Sequence, residues 1–217
     1  MNAVTDETPL CLSETGGGVA TVTLNRPDAR NAMNIPLLQQ LVAALKGARE
    51  QGVGVLLLKA EGPAFCAGAD VRSDDGTAMG RPGLRRQLIE EACDLVEAFP
   101  ASVAAVQGPA VGGGWALAAA AVVTLAAPGA MFRFPELRLG FLPPDQTVRR
   151  LRAAVGPAAA FRLLVADERF TGDDLARLGL VDVVEAADLG HRARRLAEQF
   201  AAAPSDLVQT LRTTLTT

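Results

Sequence analysis

The chain has 217 residues, 49% hydrophobic and 21% charged, with a formal net charge of −3. That length suits one globular domain that buries roughly 70% of its unfolded surface. The slightly acidic balance provides no basic field for nucleic acid, and no apolar run approaches the ~18 residues a membrane span needs.

Met1 to Glu7 contain neither a basic nor an apolar leader region. Cys11, Cys66 and Cys93 are too few and too scattered for a disulfide framework or a zinc pattern. A cytoplasmic protein is the expectation. Gly16-Gly17-Gly18 reads as a turn, and Val19 to Leu24 as the strand that follows it. Asn34 can cap a helix from Ile35 to Glu50, in which Leu37, Leu38, Leu41, Val42 and Leu45 repeat at helical spacing. Gly52 ends that helix, and Val53 to Lys59 reads as a buried strand leading to Phe65-Cys66-Ala67-Gly68-Ala69-Asp70. A polar loop over Ser73 to Gly83 precedes an amphipathic helix over Leu84 to Phe99, ended by Pro100. Val103 to Val106 is a short strand delivering Pro109-Ala110-Val111-Gly112-Gly113-Gly114, and Trp115 to Ala120 is strongly helix-forming.

Val122 to Ala126 reads as a strand, Pro128-Gly129 as a turn, and Met131 to Phe134 as extended chain. From Thr147 the chain is mostly helical, with an interruption at Gly156-Pro157. Thr171 with Asp174 resembles a capping box, and Val181 to Val184 reads as one more strand. Strands alternating with helices predict an α/β fold followed by a helical tail.

The chemistry concentrates in the two glycine stretches. Small side chains let a ligand approach the backbone closely, and the second stretch opens a helix whose first N–H groups lack partners. Two such N–H groups from separate loops would form an oxyanion hole. Elsewhere the supply is thin. His191, the sole histidine, lies in an Arg-rich stretch far in sequence from both motifs, which argues against a nucleophile–histidine system. The glycines match neither a P-loop nor the dinucleotide fingerprint, and no residue cluster suggests a metal. Cys66 reads as a small buried residue rather than a nucleophile. The clusters at Arg149 to Arg152 and Arg192 to Arg195 read as solvated helix faces. Glu136 stands in an apolar segment, where burial would raise its pKa towards neutrality as a general base needs. An ion pair with Arg133 or Arg138 is the alternative, and local sequence leaves both open.

The ordered motifs resemble the crotonase superfamily, the enoyl-CoA hydratases and isomerases. They run from Thr21-Val22-Thr23-Leu24-Asn25-Arg26-Pro27 and Asn31-Ala32 through the two glycine stretches. Pro135-Glu136-Leu137-Arg138-Leu139-Gly140 and Ala176-Arg177-Leu178-Gly179-Leu180-Val181 complete the set. The resemblance implies one domain: a spiral of β-β-α turns over about residues 1–185 and a shortened helical tail over about 186–217. It implies an acyl thioester of CoA, or of a carrier protein, as substrate and no separate cofactor. It further implies oxyanion donors at Ala69 and Gly113, a catalytic carboxylate at Glu136, and CoA contacts at Arg26, Ala29, Ala67 and Arg72. A homotrimer or dimer of trimers is the implied assembly, without nucleic acid or membrane as partner.

Against that pattern, the second carboxylate of hydratases falls on Ala116, which cannot move a proton. Isomerisation by Glu136 alone is therefore expected ahead of hydration or decarboxylation, with a catalytically silent binding subunit as a further alternative. Asp145, in Pro143-Pro144-Asp145-Gln146, is a possible second acid or a turn and capping residue. Trp115, Ala116 and Leu142 are candidates for the acyl pocket, and core packing is the alternative for Trp115.

Overall fold

The computed structural model describes residues 8–70 and 82–216. Arg72 and most of the polar loop expected over Ser73 to Gly83 lie outside them.

A six-stranded sheet runs through the molecule. Its strands are β1 (Cys11–Gly16), β2 (Val19–Leu24), β3 (Val55–Ala60), β4 (Ala101–Val106), β6 (Val123–Ala126) and β9 (Asp182–Val183), side by side in that order. The β1–β2 hairpin is antiparallel, with its turn at positive-φ glycines Gly17 and Gly18, and every other pair in this sheet is parallel. A smaller sheet joins β5 (Ala110–Val111), β7 (Met131–Arg133) and β8 (Phe170–Thr171). The chain thus rises through β4, β5 and α3 (Gly113–Ala119), then β6, β7 and α4 (Asp145–Val165), one strand of each turn in each sheet.

Side chains alternate between faces at the strand period of two. Leu56 and Leu58 of β3, with Ala104 and Val106 of β4, join the main core beneath α1 (Ile35–Glu50) and α2 (Pro82–Glu97). Val55, Leu57, Val103 and Ala105 face the other way, onto Leu189, Ala193 and Ala197 of α6 (Leu189–Ala201). The helical tail is completed by α7 (Ser205–Thr216), and the capping box at Thr171 opens α5 (Gly172–Arg177).

The clearest differences from the sequence reading are in the bounds of α2 and α4. The helix α2 begins at Pro82 and ends at Glu97. The helix α4 begins at Asp145 rather than Thr147, because Pro144 ends the extended chain and Asp145 suits a first helical turn. The expected stop and restart at Gly156-Pro157 is present, with Gly156 at φ 78° and ψ 167° between two helical legs.

The loop ahead of α1 is held by Asn31, which is fully buried with φ 53°. Its Nδ2 donates to Glu61 O and Ala64 O, both at 2.9 Å, and its Oδ1 accepts from Arg26 N–H at 2.8 Å. Asn31→Ala strands these buried groups, so it is expected to cost roughly 2–4 kcal/mol. A calorimetric Tm lowered by roughly 5–10 °C is the matching observation.

Candidate active site

The Phe65 to Asp70 stretch lies between the loop before α1 and the strand β5. Cys66 bridges Ala110 and Ala69 bridges Met33, both in parallel sense. Met33 N–H donates to Gly68 O at 2.8 Å, and Asp70 N–H donates to Met33 O at 3.0 Å. In such a bridge the intervening residue turns its own amide away, so Ala69 N–H points from Met33 towards the opposite side. Gly68, at φ 91°, permits this close approach, since a Cβ there would meet Val111 O at 2.8 Å.

The second stretch delivers the other amide. Val111 N–H donates to Cys66 O at 2.9 Å and Gly112 N–H to Arg133 O at 2.8 Å. The first helical bond of α3 runs from Ala116 N–H to Gly112 O, which leaves Gly113 N–H without a helical acceptor. Ala69 and Gly113 line one cavity of about 270 Å³.

Glu136 lines the same cavity, on the short turn after β7. Its carboxyl packs directly over Gly112, in the space a Cβ would fill. Its Oε2 is buried and has no hydrogen-bond partner. Burial, reinforced by the charge of Asp167, pushes its pKa up to about 7. The ion pair left open by the sequence does not form with Glu136. Arg133 and Arg138 both bind Asp167 instead. Glu136 is the only carboxylate in the cavity lining among the described residues.

The remaining walls are mostly apolar, with Ile89, Leu139, Phe141, Leu142 and Pro144 prominent. Of the acyl-pocket candidates, Leu142 lines the cavity, whereas Trp115 and Ala116 do not. Trp115 is 2% exposed, stacked on Phe134 at 4.2 Å and edge-on to Phe132 at 5.6 Å. It ties the α3 amides to the segment that runs from β7 to Glu136, and its size and apolar neighbours draw it into the core. Ala116, one residue on, is 1% exposed in that core. Asp145 is exposed as the first residue of α4 and absent from the lining; the cap position is Pro144, so Asp145 complements the helix dipole without capping it. Cys66 donates its thiol to Asn31 O at 3.0 Å, and burial pushes that thiol up to about 12, against nucleophilic use. His191 is exposed on α6.

A second, more open depression of about 460 Å³ is lined by Asp28, Ala29, Arg30, Ala32, Ala67, Ala69 and Asp70. Ala67 and Ala69 line both, so the two depressions meet along this strip. Of the expected CoA contacts, Ala29 and Ala67 lie here. Arg26 lines neither depression and is committed to Asp70 at 2.6 Å and to Ala32 O at 2.9 Å.

Arg85 escaped the sequence reading. It is 4% exposed and lines the first cavity from α2. Its signal was spacing: Arg85 shares a helical face with Leu88, Ile89, Ala92 and Val96, all buried.

The raised Glu136 pKa has a stability consequence. The unfolded carboxyl ionises from about pH 4.5, whereas the folded one stays protonated to about 7. Between those values the folded state holds the extra proton, so stability falls with rising pH, by at most about 3 kcal/mol above pH 7. Glu136→Gln is expected to melt several degrees above the parent at pH 8 and level with it near pH 4. Melting curves across that range check the sign.

These features define an α/β protein with a mostly parallel sheet and helices, matching crotonase-fold structures. An enoyl-CoA hydratase/isomerase structure from Bordetella parapertussis superposes with a TM-score of 0.87 at 29% identity, covering 96% of this chain and 87% of that one. The enoyl-CoA hydratase structure from Bacillus anthracis superposes with a TM-score of 0.86 at 27% identity, covering 94% and 81%. Residues 14–217 match the enoyl-CoA hydratase/isomerase family. A protein of Mycobacterium tuberculosis named probable enoyl-CoA hydratase is 35% identical over 168 residues, 76% of this chain and 66% of that one. The match thus spans just under two thirds of that relative's length. A Rhizobium meliloti protein of the same name is 36% identical over 192 residues, 88% and 74% of the two chains. The chain belongs to the enoyl-CoA hydratase/isomerase family.

Proposed function

We propose that the chain shifts the double bond of an enoyl thioester, with Glu136 as the single proton carrier. The carrying observation is that carboxyl: largely buried, with Oε2 unpartnered, poised at about 7, and the sole carboxylate among the described lining residues. Glu136 takes a proton from the carbon between the thioester carbonyl and a 3,4-double bond. The electron pair left behind spreads onto the carbonyl oxygen as a dienolate. The N–H groups of Ala69 and Gly113 stabilise that oxygen, by roughly 2.7–4 kcal/mol per donor in comparable sites. Glu136 then returns the proton to the fourth carbon, and the double bond moves into conjugation. One base suffices because the same proton leaves and returns.

The apolar walls fit a hydrocarbon acyl chain, and the open depression past Ala67 fits the CoA or carrier arm of the thioester. Association into homotrimers is part of the proposal. It would cover Leu207, Leu211 and Leu215, which form an exposed apolar row on α7. Hydration is the second reading, favoured by the names of the relatives. It requires a second acid–base group to activate water, and Ala116 supplies none. Incubation with a 3-enoyl-CoA should raise the absorbance of a conjugated thioester. A protein that converts 2-enoyl-CoA to the 3-hydroxyacyl product instead is a hydratase.

A further inference from the structure

Glu136 stands between two cations in sequence, Arg133 three residues before it and Arg138 two after. A guanidinium against its carboxyl would hold it ionised and weaken it as a base. The fold diverts both. Arg133 Nε and Nη2 each donate at 2.6 Å to Asp167, one to each carboxylate oxygen. Arg138 Nε lies 2.7 Å from Asp167 Oδ2. Asp167 follows α4 with φ 53°, a left-handed conformation that aspartate tolerates better than most side chains. The bidentate pair is partly buried, with side chains 23% and 18% exposed. That is the geometry in which an ion pair near a surface fixes its partners.

We propose that Asp167 is a positioning residue for Glu136, clamping the arginines on both sides and keeping their charges off the carboxyl. The clamp fixes the ends of the segment 133–138, so Glu136 is held over Gly112 from both directions. It also sets the local field. The charged groups around Glu136 are Arg133 and Arg138 on its own segment, Asp167 from the loop after α4, and Arg85 and Arg86 lining the cavity from α2. The two arginines hold the Asp167 carboxyl below the usual range, so it keeps its charge while Glu136 titrates.

Only the catalytic consequence rests on the proposed function, because the titration of Glu136 can be read without turnover. In protein labelled with 13C at glutamate carboxyls, the Glu136 resonance is assigned by its loss in Glu136→Gln. Asp167→Asn removes a negative charge and releases two cations, both of which favour ionised Glu136. Its midpoint should fall by roughly half a pH unit or more. Arg138→Gln removes one counter-charge while leaving the bidentate pair, so the midpoint should hold or rise. With an enoyl thioester, Asp167→Asn should lower kcat and move the acidic limb of the pH profile downward, with KM little changed. An unmoved midpoint in folded Asp167→Asn overturns the proposal. So does a downward shift in Arg138→Gln, a largely exposed change that keeps the test available if Asp167→Asn does not fold. The predicted midpoints in a protein without turnover would support the clamp and count against the enolate chemistry alone.

Discussion

Glu136→Gln is expected to lower turnover of a 3-enoyl-CoA by roughly 10²–10⁴-fold, the usual contribution of a placed acid–base group. The amide keeps the shape and size of the side chain, so the cavity stays filled and Gly112 keeps its neighbour. KM should change little, because the Ala69 and Gly113 amides proposed to hold the thioester oxygen are backbone groups. The parent enzyme should show an acidic limb near pH 7: Glu136 must be ionised to accept a proton, and its pKa is raised to about 7. Rate therefore rises with pH through that value, and the limb should vanish from the residual activity of the variant. Retention of the parent rate by Glu136→Gln would remove Glu136 from the mechanism.

Gly112→Ala should be nearly as damaging, by a different route. Gly112 has φ 55° and ψ −124°, a conformation side chains other than glycine rarely adopt. An added Cβ falls onto the Glu136 carboxyl, 3.1 Å from Cδ and closer still to Oε1. The carboxyl must move, and a displacement of about 1 Å at a reacting group costs on the order of 10²-fold in rate. Backbone strain adds roughly 1–3 kcal/mol of destabilisation. Because both substitutions act on one carboxyl, Gly112→Ala combined with Glu136→Gln should lose far less than the product of the single effects. Steady-state kinetics of the three variants, with melting curves beside them, check both statements.

Both predictions concern residues visible in the chain itself, for a physical reason. Glycines at positive φ and at close backbone contacts leave a local signature, so the strips at Gly68 and Gly112 could be read from sequence. The strand period and the apolar face of α1 were legible in the same way. What escaped is long-range. The choice between an isolated Glu136 and an ion-paired one turns on Asp167, 34 residues from Arg133, and no local pattern ties them. Trp115 could not be placed until the fold brought Phe132, Phe134 and Phe170 around it. Arg150 looked like part of a solvated cluster. It instead donates to Ala120 O and Ala121 O at 2.6 and 2.7 Å and ties α4 to the end of α3. Asp145 read as either a site residue or a helix start, and only the fold shows it exposed at the start of α4, outside the cavity lining.

The central claim is that one carboxyl and two backbone amides move a proton within an enoyl thioester. It is tested most directly by NMR of a 3-enoyl-CoA incubated with the protein in heavy water. The account predicts the 2-enoyl product, with any deuterium that exchanges onto Glu136 entering at the fourth carbon, and loss of product formation in Glu136→Gln. Formation of a 3-hydroxyacyl product at a comparable rate, or the absence of both exchange and product, would contradict it.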